Sequence, residues 1–129
     1  PMAKVVIMGD LNDNPNAKSI RQYLGAKSKI KDTQMYQLYN PMYKLYMDGV
    51  WSYVYRDEPN VIDQIIISYG LINAKTKYRY NAVNIFRESY MLTQSGSFEG
   101  YPFRTFAGGV YQGGYSDHLP VYIIIEKMD

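Results

Sequence analysis

The chain has 129 residues, and 14 lysines and arginines against 12 aspartates and glutamates leave a net charge of +2 with its single histidine neutral. That length suits one domain, and 47% hydrophobic with 20% charged residues excludes wholesale disorder and a collagen repeat. With no cysteine, disulfide staples, thiolate zinc sites and a cysteine nucleophile are excluded, and so small a charge does not by itself argue for a polyanion partner.

In chain order, Val5-Val6-Ile7-Met8 is an apolar block without alternation, which predicts a strand buried on both faces. The turn-forming run Gly9 to Asn16 follows, and Asn16 is placed to cap a helix over 17–24 that Gly25 ends. Ile20, Tyr23 and Leu24 would form its apolar stripe. Lys27, Lys29 and Lys31 read as a solvated connector. Pro41 opens a short helix through Met47, stopped at Asp48-Gly49. Residues 50–56 alternate as a strand, 57–60 form a turn, and 61–68 predict a second buried strand with an aspartate, Asp63, inside it.

Lys75 to Tyr80 interleaves cations with aromatics, which suits a solvated strand edge more than a nucleic-acid surface. Residues 84–92 are expected to be a short helix or an irregular crossing. From Gly96 to Tyr115 six glycines and one proline predict a long shaped loop, with a strand near Arg104-Thr105-Phe106 and a phosphate contact from Arg104 as a minor expectation. Leu119 to Ile125 is the third expected strand. No apolar run approaches the ~18–20 residues of a membrane helix.

Polar groups recur at the ends of these three strands: Asp10 and Asn12 after the first, Asp63 at the start of the second, Asp117 and His118 before the third. If the first strand runs antiparallel to the others, all five groups converge on one sheet edge. Carboxylates gathered there are costly unless they are hydrogen-bonded, charge-paired or metal-bound. Spacing narrows the chemistry. Asp10, Asn12 and Asn14 match the start of a calcium loop, but Pro15 and Arg21 stand where glycine and glutamate are required. One histidine and no cysteine cannot build an ordinary zinc site. Gly114-Tyr115-Ser116-Asp117-His118 lacks the second glycine of a nucleophile elbow, and no glycine-rich strand-to-helix phosphate loop occurs. What remains is a hard oxygen-ligated cation with one imidazole, a chemistry that fits phosphate-ester hydrolysis: a carboxylate handles water, an amide holds the phosphate, and a histidine held by Asp63 donates to the transition state.

Gly9-Asp10-Leu11-Asn12, Ile62-Asp63-Gln64-Ile65-Ile66 and Ser116-Asp117-His118-Leu119-Pro120-Val121, in this order, resemble the C-terminal half of the endonuclease/exonuclease/phosphatase superfamily. The resemblance implies an α/β fold, half of a four-layered α/β sandwich with a mostly antiparallel sheet, over residues 1–129. It implies hydrolysis of phosphate esters with magnesium or manganese, the substrate being nucleic acid, a lipid head group or an inositol phosphate. Asp10 would position water and share in metal binding, Asn12 would contact the phosphate, Asp117 would serve the metal or its waters, and Asp63 would orient His118. The superfamily's N-terminal half, with its metal-binding glutamate, has no counterpart in these residues. The expectation is therefore an incomplete site that binds metal weakly and turns over little or nothing alone, with self-association through an exposed sheet face. A module that keeps the sheet and only binds is the competing expectation.

Overall fold

The computed structural model describes residues 3–73, 75 and 77–128. Among the described residues nine strands and one α-helix follow in order: β1 (Val6–Asp10), β2 (Leu38–Tyr39), α1 (Met42–Met47), β3 (Tyr53–Tyr55), β4 (Glu58–Asn60), β5 (Asp63–Ser68), β6 (Tyr78–Ile85), β7 (Phe106–Ala107), β8 (Val110–Tyr111) and β9 (Val121–Lys127). Every strand pairing is antiparallel: β5 lies between β1 and β2, while β3–β4, β6–β9 and β7–β8 are two-stranded. This agrees with an α/β chain of mostly antiparallel sheet. None of the described helices is long and apolar enough to cross a membrane.

β5 is the strand the rest is built around. Its isoleucines alternate between two clusters: Ile66 meets Ile20 and Ala26 with Ile7 and Leu38 packed alongside, and Ile65 and Ile67 meet Tyr39 and Leu71. Tyr80, Val121 and Ile123 of the β6–β9 ribbon press on this second cluster, joining the two sheets. A third cluster, of Met42, Val61, Ile85, Met91 and Leu119, packs α1 against the ends of β6 and β9. Both faces of β5 are therefore covered, which explains its unbroken apolar run.

The first strand is not buried as expected. β1 is an edge strand: Ile7 packs inward, whereas Val6 is 41% and Met8 70% exposed. Its apolar composition answers to a face that nothing within the described residues covers. The third strand departs likewise, beginning at Val121 rather than Leu119 and leaving Tyr122, Ile124 and Ile125 exposed, because β6 pairs with only one of its edges and covers neither face.

Other expectations shift more locally. Instead of a capped helix over 17–24, Ser19–Tyr23 forms a single π-turn; Asn16 caps nothing, the Ser19 hydroxyl donates to Asp13 at 2.6 Å, and of the expected stripe only Ile20 is buried. Gly25 does end it, at φ +73°, with the Ala26 N–H on the Ile20 carbonyl at 3.0 Å. Residues 58–60 are strand, the β3–β4 turn being Arg56-Asp57, both at positive φ. The cation-aromatic segment opens β6, which runs on to Ile85; after it the expected short helix or irregular crossing is present as an irregular stretch with a 3₁₀ turn at Ser89–Met91, and Thr76 lies outside the described residues. β7 begins at Phe106, and Gly108 and Gly109 turn it into β8.

Candidate functional site

The β1–β5 register sets Asp10 directly opposite Asp63. Like charges facing across an antiparallel pair repel, so this sheet edge calls for a positive partner. His118 reaches this edge as a hydrogen-bonding partner of Asp63. An isolated bridge between Tyr53 and His118, with the Leu119 N–H on the Ser52 carbonyl at 2.7 Å, lays the residues before β9 against β3. That contact brings the imidazole to the β5 start from a different sheet. Asp10, Asp63 and His118 then each offer a ligand atom within 4.8 Å of one another.

Within the group the Asp63–His118 pair is the tightest contact. His118 Nδ1 lies 2.8 Å from Asp63 Oδ2, and the buried Ser52 hydroxyl donates to the same oxygen at 2.7 Å. The carboxylate thus fixes the Nδ1–H tautomer and leaves Nε2 free. The side chains are 27% and 17% exposed for His118 and Asp63, enough for solvent or substrate to reach the ring and too little for the carboxylate to be freely hydrated. The Tyr53 ring stacks on the imidazole at 4.4 Å with planes 22° apart, holding its orientation from one face.

Asp10 is exposed, and one of its carboxylate oxygens accepts the Asn12 N–H at 2.9 Å. This Asx turn places Asn12 at φ 52°, a conformation that asparagine tolerates. Asn12 is exposed, and its side-chain amide makes no hydrogen bond among the described residues. The loop behind is anchored deeper: Asn14 donates to Asn60 and accepts the Val61 N–H, each at 2.8 Å, while buried Gln64 donates to the Asp13 carbonyl and accepts from Asn40 at 2.6 Å. Four amide side chains thereby tie the residues after β1 to the start of β5. Asp117 is half-buried next to His118 but lies outside the three-residue group.

Donor chemistry decides what the group can hold. A hard divalent ion takes oxygens and keeps waters. Asp10 is exposed and retains an unshared oxygen, so it fits such an ion; Asp63 is less exposed, its Oδ2 is already engaged twice, and His118 Nδ1 is taken by that contact, which leaves Nε2. The arrangement therefore fits a cation held from the Asp10 side, with a carboxylate–imidazole pair beside it, better than three equal ligands.

Ser52 and Tyr53 are absent from the expectations drawn from the sequence. Ser52 reads there only as the small member of an alternating strand, and Tyr53 is one of 15 tyrosines. Arg104, the minor phosphate candidate, lies on the 96–115 loop and lines a cleft with Phe98, Tyr101 and Phe103, away from the Asp63–His118 pair.

No curated protein and no solved structure matches the chain. A family model described as the endonuclease/exonuclease/phosphatase family matches residues 1–127. The ordered motifs, the antiparallel β1–β5 pairing and the meeting of Asp10, Asp63 and His118 agree with that match, and the chain belongs to the endonuclease/exonuclease/phosphatase family.

Proposed function

We propose that this chain carries the histidine side of a metal-dependent phosphoesterase site. The family supports phosphoester chemistry in general. The observation that carries the finer reading is the 2.8 Å Nδ1 contact to Asp63, with Asp10 close by. Asp63, fixed by Ser52, holds the imidazole so that Nε2, when protonated, donates to a phosphate oxygen gathering charge in the transition state. Asp10 orients the attacking water and takes its proton through the oxygen that Asn12 N–H leaves free. The exposed Asn12 amide donates to a non-bridging phosphate oxygen. Magnesium or manganese, held by Asp10 with Asp117 contributing directly or through water, would neutralise phosphoryl charge when bound.

The exposed, open edge of β1 supports a second part of this reading: the chain is half of a four-layered sandwich, and another α/β layer completes both the sheet and the metal site. Hydrolysis by the chain alone is accordingly weak.

The test is hydrolysis of bis(p-nitrophenyl) phosphate with magnesium and with EDTA, using the chain alone and mixed with the N-terminal half of a family member. Turnover that needs magnesium, rises on mixing and falls in His118→Ala supports the reading. Turnover indifferent to both metal and His118 overturns it, and no turnover in any mixture favours a module that only binds.

A further inference from the structure

Away from the Asp63–His118 pair, the loop between β6 and β9 encloses a cleft of about 360 Å³ whose walls include Phe98, Tyr101, Phe103, Arg104 and Gln112. Three aromatic residues and an arginine are among those that line it. Arg104 is half-buried and makes no ion pair among the described residues. A half-buried cation in a cleft that aromatic residues also line suits a flat ring carrying negative charge nearby.

The cleft is firmly built. Gly114 packs so tightly on the backbone that a Cβ there would lie 2.1 Å from the Phe103 carbonyl oxygen. The Gly114 and Tyr115 N–H groups donate to the Arg104 and Phe103 carbonyls at 3.2 and 2.8 Å. These contacts explain the glycine in chemical terms and fix the backbone that carries Arg104.

A path joins the cleft to the reacting pair. The Tyr101 hydroxyl donates to Asp57 at the β3–β4 turn. That turn places Arg56 and Asp57 at φ 49° and 66°, positions that favour Asn or Gly. The Arg56 guanidinium sits over the Tyr55 ring at 5.2 Å, Tyr55 stacks on Tyr53 at 6.4 Å and 15°, and Tyr53 stacks on His118 at 4.4 Å. Tyr55 is 52% exposed. Aromatic rings and one arginine, with the Asp57 carboxylate among them, thus run from the cleft side to the imidazole.

Aromatic faces beside arginines are the recurring surface for unpaired bases and their phosphates. From these contacts we infer that the cleft is a subsite for an unpaired base of single-stranded nucleic acid, whose backbone crosses Arg56 and Tyr55 toward His118. The direction of that strand rests on the proposed phosphoesterase reading. Binding in the cleft itself does not.

Fluorescence anisotropy in EDTA provides the test, using a labelled 12-nucleotide oligothymidylate, an abasic strand of equal length, and anionic phosphatidylserine vesicles. The oligothymidylate should bind at least about fivefold more tightly than the abasic strand, as the lower bound of stacking for one base requires. Phe98→Ala and Arg104→Gln should each remove much of that advantage. Phe98 is 63% exposed, so its truncation leaves the core intact, and Arg104→Gln tests the charge with little change of shape. Tyr23→Ala, at a tyrosine 86% exposed on the Ser19–Tyr23 turn, should change nothing. Equal binding of both strands, wild-type binding by both cleft variants, or a preference for vesicles overturns the subsite. Base-dependent binding with no diester hydrolysis even when the complementary half is present leaves the subsite standing and removes the proposed catalysis; hydrolysis with base-indifferent binding does the reverse.

Discussion

Removing the Ser52 hydroxyl tests how the reacting pair is held. In Ser52→Ala, Asp63 Oδ2 loses its 2.7 Å donor and keeps only His118. Ser52 is fully buried and Asp63 is 17% exposed, and the space of one oxygen is too small for a replacement water. Hydrogen bonds to charged groups contribute about 1.5–3 kcal/mol; partial access of solvent to Asp63 places this one near the lower end, at about 2 kcal/mol. For a chain of this length about 1 kcal/mol moves the melting temperature by roughly 3–5 °C, so the expected fall is about 6–10 °C. If half of that energy also positions the imidazole in the transition state, turnover drops about fivefold. Urea unfolding with an unchanged m-value measures the first quantity and diester hydrolysis the second. A Ser52→Ala midpoint within about 0.3 kcal/mol of the parent would refute the assignment of Ser52 as the anchor of Asp63.

Three further expectations concern the fold. Ile66→Ala, at a side chain 0% exposed in the central strand, should cost about 2–5 kcal/mol in urea unfolding; a cost under about 1 kcal/mol would mean that β5 is not the core strand. Burial, with the neighbouring Tyr39 adding to it, pushes the Tyr80 hydroxyl up to about 12. The neutral phenol is then favoured in the folded chain, so its contribution is complete below pH 10 and is lost as pH rises through 10 toward 12; Tyr80→Phe should flatten that alkaline decline, and an unchanged slope would contradict the burial. The open β1 edge, with Met8 70% exposed, should make the isolated chain associate as its concentration rises. Light scattering should show Met8→Lys reducing that association, and a strictly monomeric parent would contradict it.

Some of this structure was legible from residue order. β5 stood out because both of its faces are covered, so its isoleucine run has no polar alternation; α1 was delimited by Pro41 and Gly49, whose backbone preferences act locally. The approach of Asp63 to His118 could be anticipated because charged groups at the ends of apolar strands need partners. Burial of β1 could not, since apolar composition cannot distinguish a covered face from one left open at a sheet edge. β6 was obscured by lysines and arginines interleaved with its tyrosines, and the Ser19–Tyr23 turn by a competing bond from Ser19 to Asp13 that no periodicity records. Ser52 and Tyr53 gain their roles only from the bridge between β3 and His118, a contact between residues 65 positions apart.

Asp63 and His118 should act as one unit, and a double-mutant cycle on magnesium-dependent diester hydrolysis, measured with the complementary half present, examines this most directly. Each of Asp63→Asn and His118→Ala is expected to lower turnover by about 10²–10⁴, with the double variant little worse than the more damaging single one. Losses that multiply would contradict it, because two residues acting separately cannot be the carboxylate and imidazole of a single hydrogen-bonded pair.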